Sequence, residues 1–174
     1  MREAPGVNVD GASPARSDSS GAISRRRSFL LYWLPVLLWM SLIFGMSTDV
    51  GAPRHTSRFL RPILRWFNPD VSDETIRSIQ LGIRKAAHVT EYAVLSFLVW
   101  RARRKPARGD GRPWRRADAF FAFCIAVLFA LSDEWHQSFV PSREGHFRDV
   151  LFDSFGAVLG LFVAWRIGRW RRVW

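Results

Sequence analysis

One cysteine occurs in 174 residues, Cys124, and it lies inside an apolar run. A disulfide framework and a cysteine-based metal site are thereby excluded, and the role left for Cys124 is that of a small buried hydrophobe. Acidic residues are few as well: 15 against 26 lysines and arginines, for a formal net charge of +11. The GxSxG, P-loop and HExxH patterns are absent, so no named reaction is indicated. At this length one domain or one small bundle of membrane helices fits, but hardly two independent cores.

What is present is unevenly distributed. The mean hydropathy of −0.04 hides apolar blocks separated by basic links. Residues 1–28 are rich in Ser, Gly, Ala and Pro, lack hydrophobic periodicity and end in basic residues, which reads as a disordered tail. Residues 29–46, FLLYWLPVLLWMSLIFGM, form an uncharged block near the length of a spanning helix, in which Pro35 is tolerable. A cleaved signal peptide fits less well, because the preceding tail is long and no small-x-small site follows. Residues 82–100, 117–140 and 150–167 supply three further candidates, the first two interrupted by polar residues. The expected fold is all-α, an integral membrane bundle of about four transmembrane helices over residues 29–167. Residues 168–174 follow as a basic, Trp-rich tail.

The basic residues orient this bundle. Three lie at Arg25–Arg27, eight between residues 101 and 116, and four from Arg166 onward, whereas the link before Val150 has two, Arg143 and Arg148, and the long link 47–81 has five. The positive-inside rule then places both termini and residues 101–116 in the cytoplasm of a multi-pass protein. The nine tryptophans among the apolar runs favour a bilayer over nucleic acid as the partner of this positive charge. On the outer side, TSRFLRPILRWF (Thr56–Phe67) intersperses arginines with apolar side chains, as a helix lying in the headgroup layer or a solvated surface helix would. Ser72 is placed to cap a helix with Asp73 and Glu74 in its first turn, which could run straight into the second span.

Direction converts to depth. At about 1.5 Å per residue, His88 and Glu91 lie roughly 5 and 9 Å below Lys85, and Asp133 stands within about 6 Å of the outer edge of a core about 30 Å thick. Asp149 sits at the mouth of the fourth span, with Asp153 about 6 Å inside. Lys85, His88 and Tyr92 share a helical face with Glu91 at its margin, as do Asp133, His136 and Gln137. On the fourth span Asp149, Asp153, Gly156 and Gly160 make a stripe whose lower half is a GxxxG pattern suited to close helix approach. Ionisable groups facing lipid cost kilocalories, so this slab is read as an outward-opening polar pocket. Glu144, His146 and Arg148 read as solvated loop.

KAAHVTEY (Lys85–Tyr92), followed by DEWHQSFVPSREGHFRDVLFDSFGAVLG from Asp133, resembles the VanZ-like family of small bacterial membrane proteins over most of residues 29–167. The resemblance implicates His88, Glu91, Tyr92, Asp133, Glu134, Gln137, Pro141, Arg143 and Asp149. Asp153 departs from the pattern, since the family often has Asn there. The family is named for a member linked to reduced susceptibility to teicoplanin, so the resemblance implies a cell-envelope role, with altered antibiotic susceptibility as one form of it.

Two classes of function follow. In the first, the chain processes a membrane-lipid headgroup or a lipid-linked cell-wall precursor. His88, Glu91, Asp133, Glu134 and His136 are then the catalytic candidates, and Lys85, Tyr92, Gln137, Arg143, Asp149 and Asp153 the substrate-binding ones, with Lys85 and Arg143 on an anion. In the second, the same residues only bind or shield the lipid. No cofactor is implied. A metal held by His88, Glu91, Asp133, His136 and Asp149 is chemically conceivable, but no compact ligand motif supports it.

Overall fold

A computed structural model of the chain describes residues 27–48, 53–106, 110–140 and 147–172. All regular structure among the described residues is helical: α1 (Leu34–Met46), α2 (Pro53–Phe67), α3 (Asp73–Arg104), α4 (Arg116–Gln137) and α5 (Phe147–Trp170). Residues 27–32 are also helical and meet α1 at Trp33. The all-α expectation therefore holds. By length and composition one described helix, Arg148–Trp170, is apolar enough to cross a membrane, while Leu34–Met46 is apolar but short. At 32 and 22 residues α3 and α4 have the length, and the polar residues within them lower their hydropathy.

The joint at Trp33 has a local cause. Pro35 has no N–H to offer the Leu31 carbonyl four residues earlier. That carbonyl instead accepts from Arg101 Nη1 at 3.3 Å. The Arg101 guanidinium also lies 5.0 Å from the Tyr32 ring centroid, and the Tyr32 hydroxyl donates to the Pro106 carbonyl at 2.7 Å. The far end of α3 thus holds the amino-terminal helical segment.

The sequence signals at the start of α3 act as anticipated. The Ser72 hydroxyl accepts from the Thr75 N–H at 3.1 Å, Asp73 and Glu74 occupy the first turn, and one helix runs without interruption into the second predicted span. The helix ends at Lys105 with φ 49, in the left-handed region that costs an L-residue about 1–2 kcal/mol. Lys105→Gly should therefore stabilise the fold by about 1 kcal/mol, read as a higher unfolding midpoint. An unchanged or lower midpoint would refute this cap geometry. Beyond it, Asp110 accepts from Arg112 Nε at 2.8 Å and Nη2 at 2.7 Å, and Arg104 Nε lies 3.5 Å away. The Arg112 hydrogen bonds hold the Asp110 carboxyl well below the usual carboxylate range, so this loop keeps its ion pairs at neutral pH.

The bundle is packed through small residues. Ala122, Ala126 and Ala130 make a fully buried ladder on α4, and Ala157 lies buried on α5 against α3. The Ser96 hydroxyl crosses from α3 to the Ala157 carbonyl at 2.9 Å. A Cβ placed on Gly156 would lie 2.9 Å from Val89 Cα, and one on Gly160 2.8 Å from Ala93 Cα. The GxxxG stripe is thus the α3–α5 contact itself. Large side chains point the other way: Leu38, Leu128, Leu151, Phe155 and Phe162 are all exposed, while Asp133, Glu134, Gln137 and Asp153 are buried.

Candidate functional site

Four helices converge where these buried polar residues lie. The last turn of α4 carries Asp133, Glu134, His136 and Gln137; α3 contributes Arg84, His88 and Tyr92; α5 contributes Asp153; and Ser47 caps the end of α1. Asp133 and Gln137 are one helical turn apart, so both point to the same side of α4.

A hydrogen-bond chain runs through them. Asp133 Oδ2 accepts from the Ser47 hydroxyl at 2.8 Å and from Gln137 Nε2 at 2.9 Å. Gln137 Nε2 also reaches Ser47 Oγ at 3.2 Å, and Gln137 Oε1 accepts from Arg84 Nη2 at 3.1 Å. Next to this chain, His88 Nδ1 stands 3.4 Å from Asp153 Oδ1, an ion-pair distance without hydrogen-bond geometry. The buried Tyr92 hydroxyl lies in the field of Asp133, Asp153, Glu134 and Glu91. Asp153 also feels Asp133 and Asp149.

Several of these atoms are buried with no hydrogen-bond partner among the described residues: Asp133 Oδ1, both Asp153 carboxylate oxygens, the Tyr92 hydroxyl and His88 Nδ1. An unsatisfied buried polar group costs about 1–3 kcal/mol, more when charged. A group of them at a helix junction is an arrangement that a polar ligand or bound water completes. Chemically, the cluster offers acceptors to a cationic or hydroxyl-bearing group, a His–carboxylate pair able to move a proton, and the Arg84 cation at its edge. No three His, Cys, Asp or Glu side chains form a metal-ligand group among the described residues.

The candidates read from the sequence divide. His88, Tyr92, Asp133, Gln137 and Asp153 come together, with Glu134 buried beside them. Glu91 is partly buried, and its carbonyl accepts from Trp39 Nε1 at 2.9 Å. His136 turns toward α1, where its ring packs 4.2 Å from Phe44. Asp149 is half-buried at the start of α5. Lys85 is exposed, with Nζ 4.3 Å from the Phe152 ring centroid, and so stands outside the hydrogen-bond chain. Pro141, Arg143, Glu144 and His146 lie outside the described residues.

Two members escaped the sequence reading. Arg84 precedes His88 by one turn, the same spacing as Asp133 to Gln137, so helical phase alone could have nominated it. Ser47 carried no signal, since a serine at the end of an apolar run is commonplace. A family model described as VanZ/LLP1 matches residues 31–169. No curated protein and no solved structure matches the chain.

Proposed function

Since the chain belongs to the VanZ/LLP1 family, we propose that it is a multi-pass protein of the cell membrane that binds or processes the polar headgroup of an envelope lipid or lipid-linked cell-wall precursor. The observation that carries this reading is the buried set of unsatisfied oxygens and nitrogens on Asp133, Asp153, Tyr92 and His88. Ionisable groups inside a membrane bundle are expensive and normally mark a binding or transport site. The inverted distribution of side chains supports the membrane placement: carboxylates inside, Leu and Phe outside. The basic residues support cytoplasmic termini and a site at the outer end of the bundle.

Within that reading, Asp133, Gln137, Ser47 and Arg84 fix the shape of the site, and His88 with Asp153 is its proton-handling pair. Arg143 and Lys85 remain candidates for the phosphate of the same ligand, through charge-assisted hydrogen bonds. Binding without chemistry is the second reading, favoured by the hydrogen bonds that already engage Asp133 Oδ2. The two separate by experiment. Mass spectrometry of lipids and precursors from cells with and without the chain should show a changed species if it is an enzyme, and His88→Asn should abolish that change. An unchanged profile, together with ligand retention by the purified protein, would leave binding alone. Loss of both would reject the site. Altered glycopeptide susceptibility of the same cells tests the envelope role.

Topology has its own test. With Cys124 replaced by Ala, a cysteine at the exposed Ser138 should react with an impermeant thiol reagent in intact cells, and one at the exposed Gly111 should react only after lysis. The reverse labelling would overturn the orientation.

A further inference from the structure

At the opposite end of the bundle from the polar cluster, α4 and α5 leave an apolar groove of about 370 Å³. Its walls include Trp114, Phe120, Phe123, Leu161, Phe162 and Trp165. It is a shallow trough, open along its length rather than enclosed, and its lining is almost wholly apolar. Because α4 begins where α5 ends, the basic residues flanking both helices gather around this groove. The Arg169 guanidinium lies 5.5 Å from the ring centroid of Trp165, a wall residue, so a positive charge sits directly at the groove. Arg116 and Arg166 are exposed and have no partner among the described residues. Asp118, in the first turn of α4, is already engaged, 3.6 Å from Arg103 and 4.0 Å from Arg115. The groove is thus an apolar trough with the Arg169 cation beside it and Trp114 and Trp165 in its walls, the side-chain types favoured where headgroups meet acyl chains.

We infer that this groove is a binding site for an anionic phospholipid of the cytoplasmic leaflet, its acyl chain between Phe120, Phe123 and Phe162 and its phosphate on Arg166 and Arg169. The apolar walls contribute the chain-length dependence that any hydrocarbon would give, and the arginines contribute the choice of headgroup. A second copy of the chain is a poorer occupant, because two such faces would bring their arginines together. The inference uses the membrane placement proposed above but not the polar cluster.

Its test uses the full chain, purified in detergent, delipidated and titrated with phosphatidylglycerol or phosphatidylcholine of the same acyl length, bound lipid being counted by native mass spectrometry. Phosphatidylglycerol should be retained roughly tenfold better, and Arg166→Gln with Arg169→Gln should remove most of that preference. Val158→Trp, which places bulk in the groove, should reduce retention of both lipids. Equal retention of the two lipids by the parent chain overturns the inference. So does a preference that survives the paired arginine substitutions, or a dimer that retains no lipid. Because both arginines are exposed, their variants test the inference even if Val158→Trp fails to fold. Washing membranes with alkaline carbonate separates the two proposals. Release of the chain contradicts the membrane placement itself, whereas an embedded chain that retains no phosphatidylglycerol contradicts only the groove.

Discussion

Gly160→Leu should separate α3 from α5 and leave little folded protein. A Cβ at this position would meet the Ala93 backbone, 2.7 Å from its carbonyl carbon and 2.8 Å from its Cα. Backbone has no rotamer through which to yield, so a whole helix must move. Ordinary overpacking costs about 1–3 kcal/mol, and here the effect should lie at or above the upper limit. Displacing α5 would also part Asp153 from His88 and break the Ser96 bond to Ala157. The check is thermal unfolding in detergent micelles, followed by tryptophan fluorescence, with Gly82→Ala as the matched control. Gly82 has nothing within 4 Å of a built Cβ, so that change should stabilise α3 by up to about 1 kcal/mol through helix propensity alone. Equal midpoints for Gly160→Leu and the parent chain would mean that α3 and α5 do not pack in this way.

The second large effect belongs to Asp133. Asp133→Ala leaves the Ser47 hydroxyl without its buried acceptor, at about 1–3 kcal/mol for that unsatisfied donor, and takes one of the two acceptors of Gln137 Nε2, which keeps Ser47 Oγ. It should therefore destabilise the bundle and abolish any lipid or precursor phenotype together. Asp133→Asn separates these consequences. Its side-chain oxygen still accepts a hydrogen bond, so folding should survive with a loss of about 1 kcal/mol, while a site that needs the negative charge stops working. Unfolding midpoints and the lipid profile of expressing cells provide the two readings. A folded Asp133→Asn protein with the full parental phenotype would show that the charge has no functional role.

Much of this arrangement was legible before any coordinates. The N-cap at Ser72, the continuity of α3 and the close-packing role of Gly156 and Gly160 all follow from local chemistry: a hydroxyl before two acids, unbroken helical phase, and small residues four apart. Helical phase also brought His88, Tyr92, Asp133, Gln137 and Asp153 together. It failed for Lys85, which shares the phase of Tyr92 yet is exposed over Phe152. Phase assigns a direction around one helix but does not say where along that helix its neighbours stop. Ser47 and Arg84 were missed for a related reason, since their importance comes from partners 86 and 53 residues away.

The Leu31 carbonyl that Pro35 leaves without an intrahelical donor bears on how the protein is assembled. Its partner, Arg101, is 70 residues further along the chain. The bend at the proline is therefore held by a contact between segments distant in sequence rather than by the helix itself. The pose of the first helix is thus a tertiary property, set jointly by α3 through the Leu31 carbonyl and Trp39 and by α4 through Ser47.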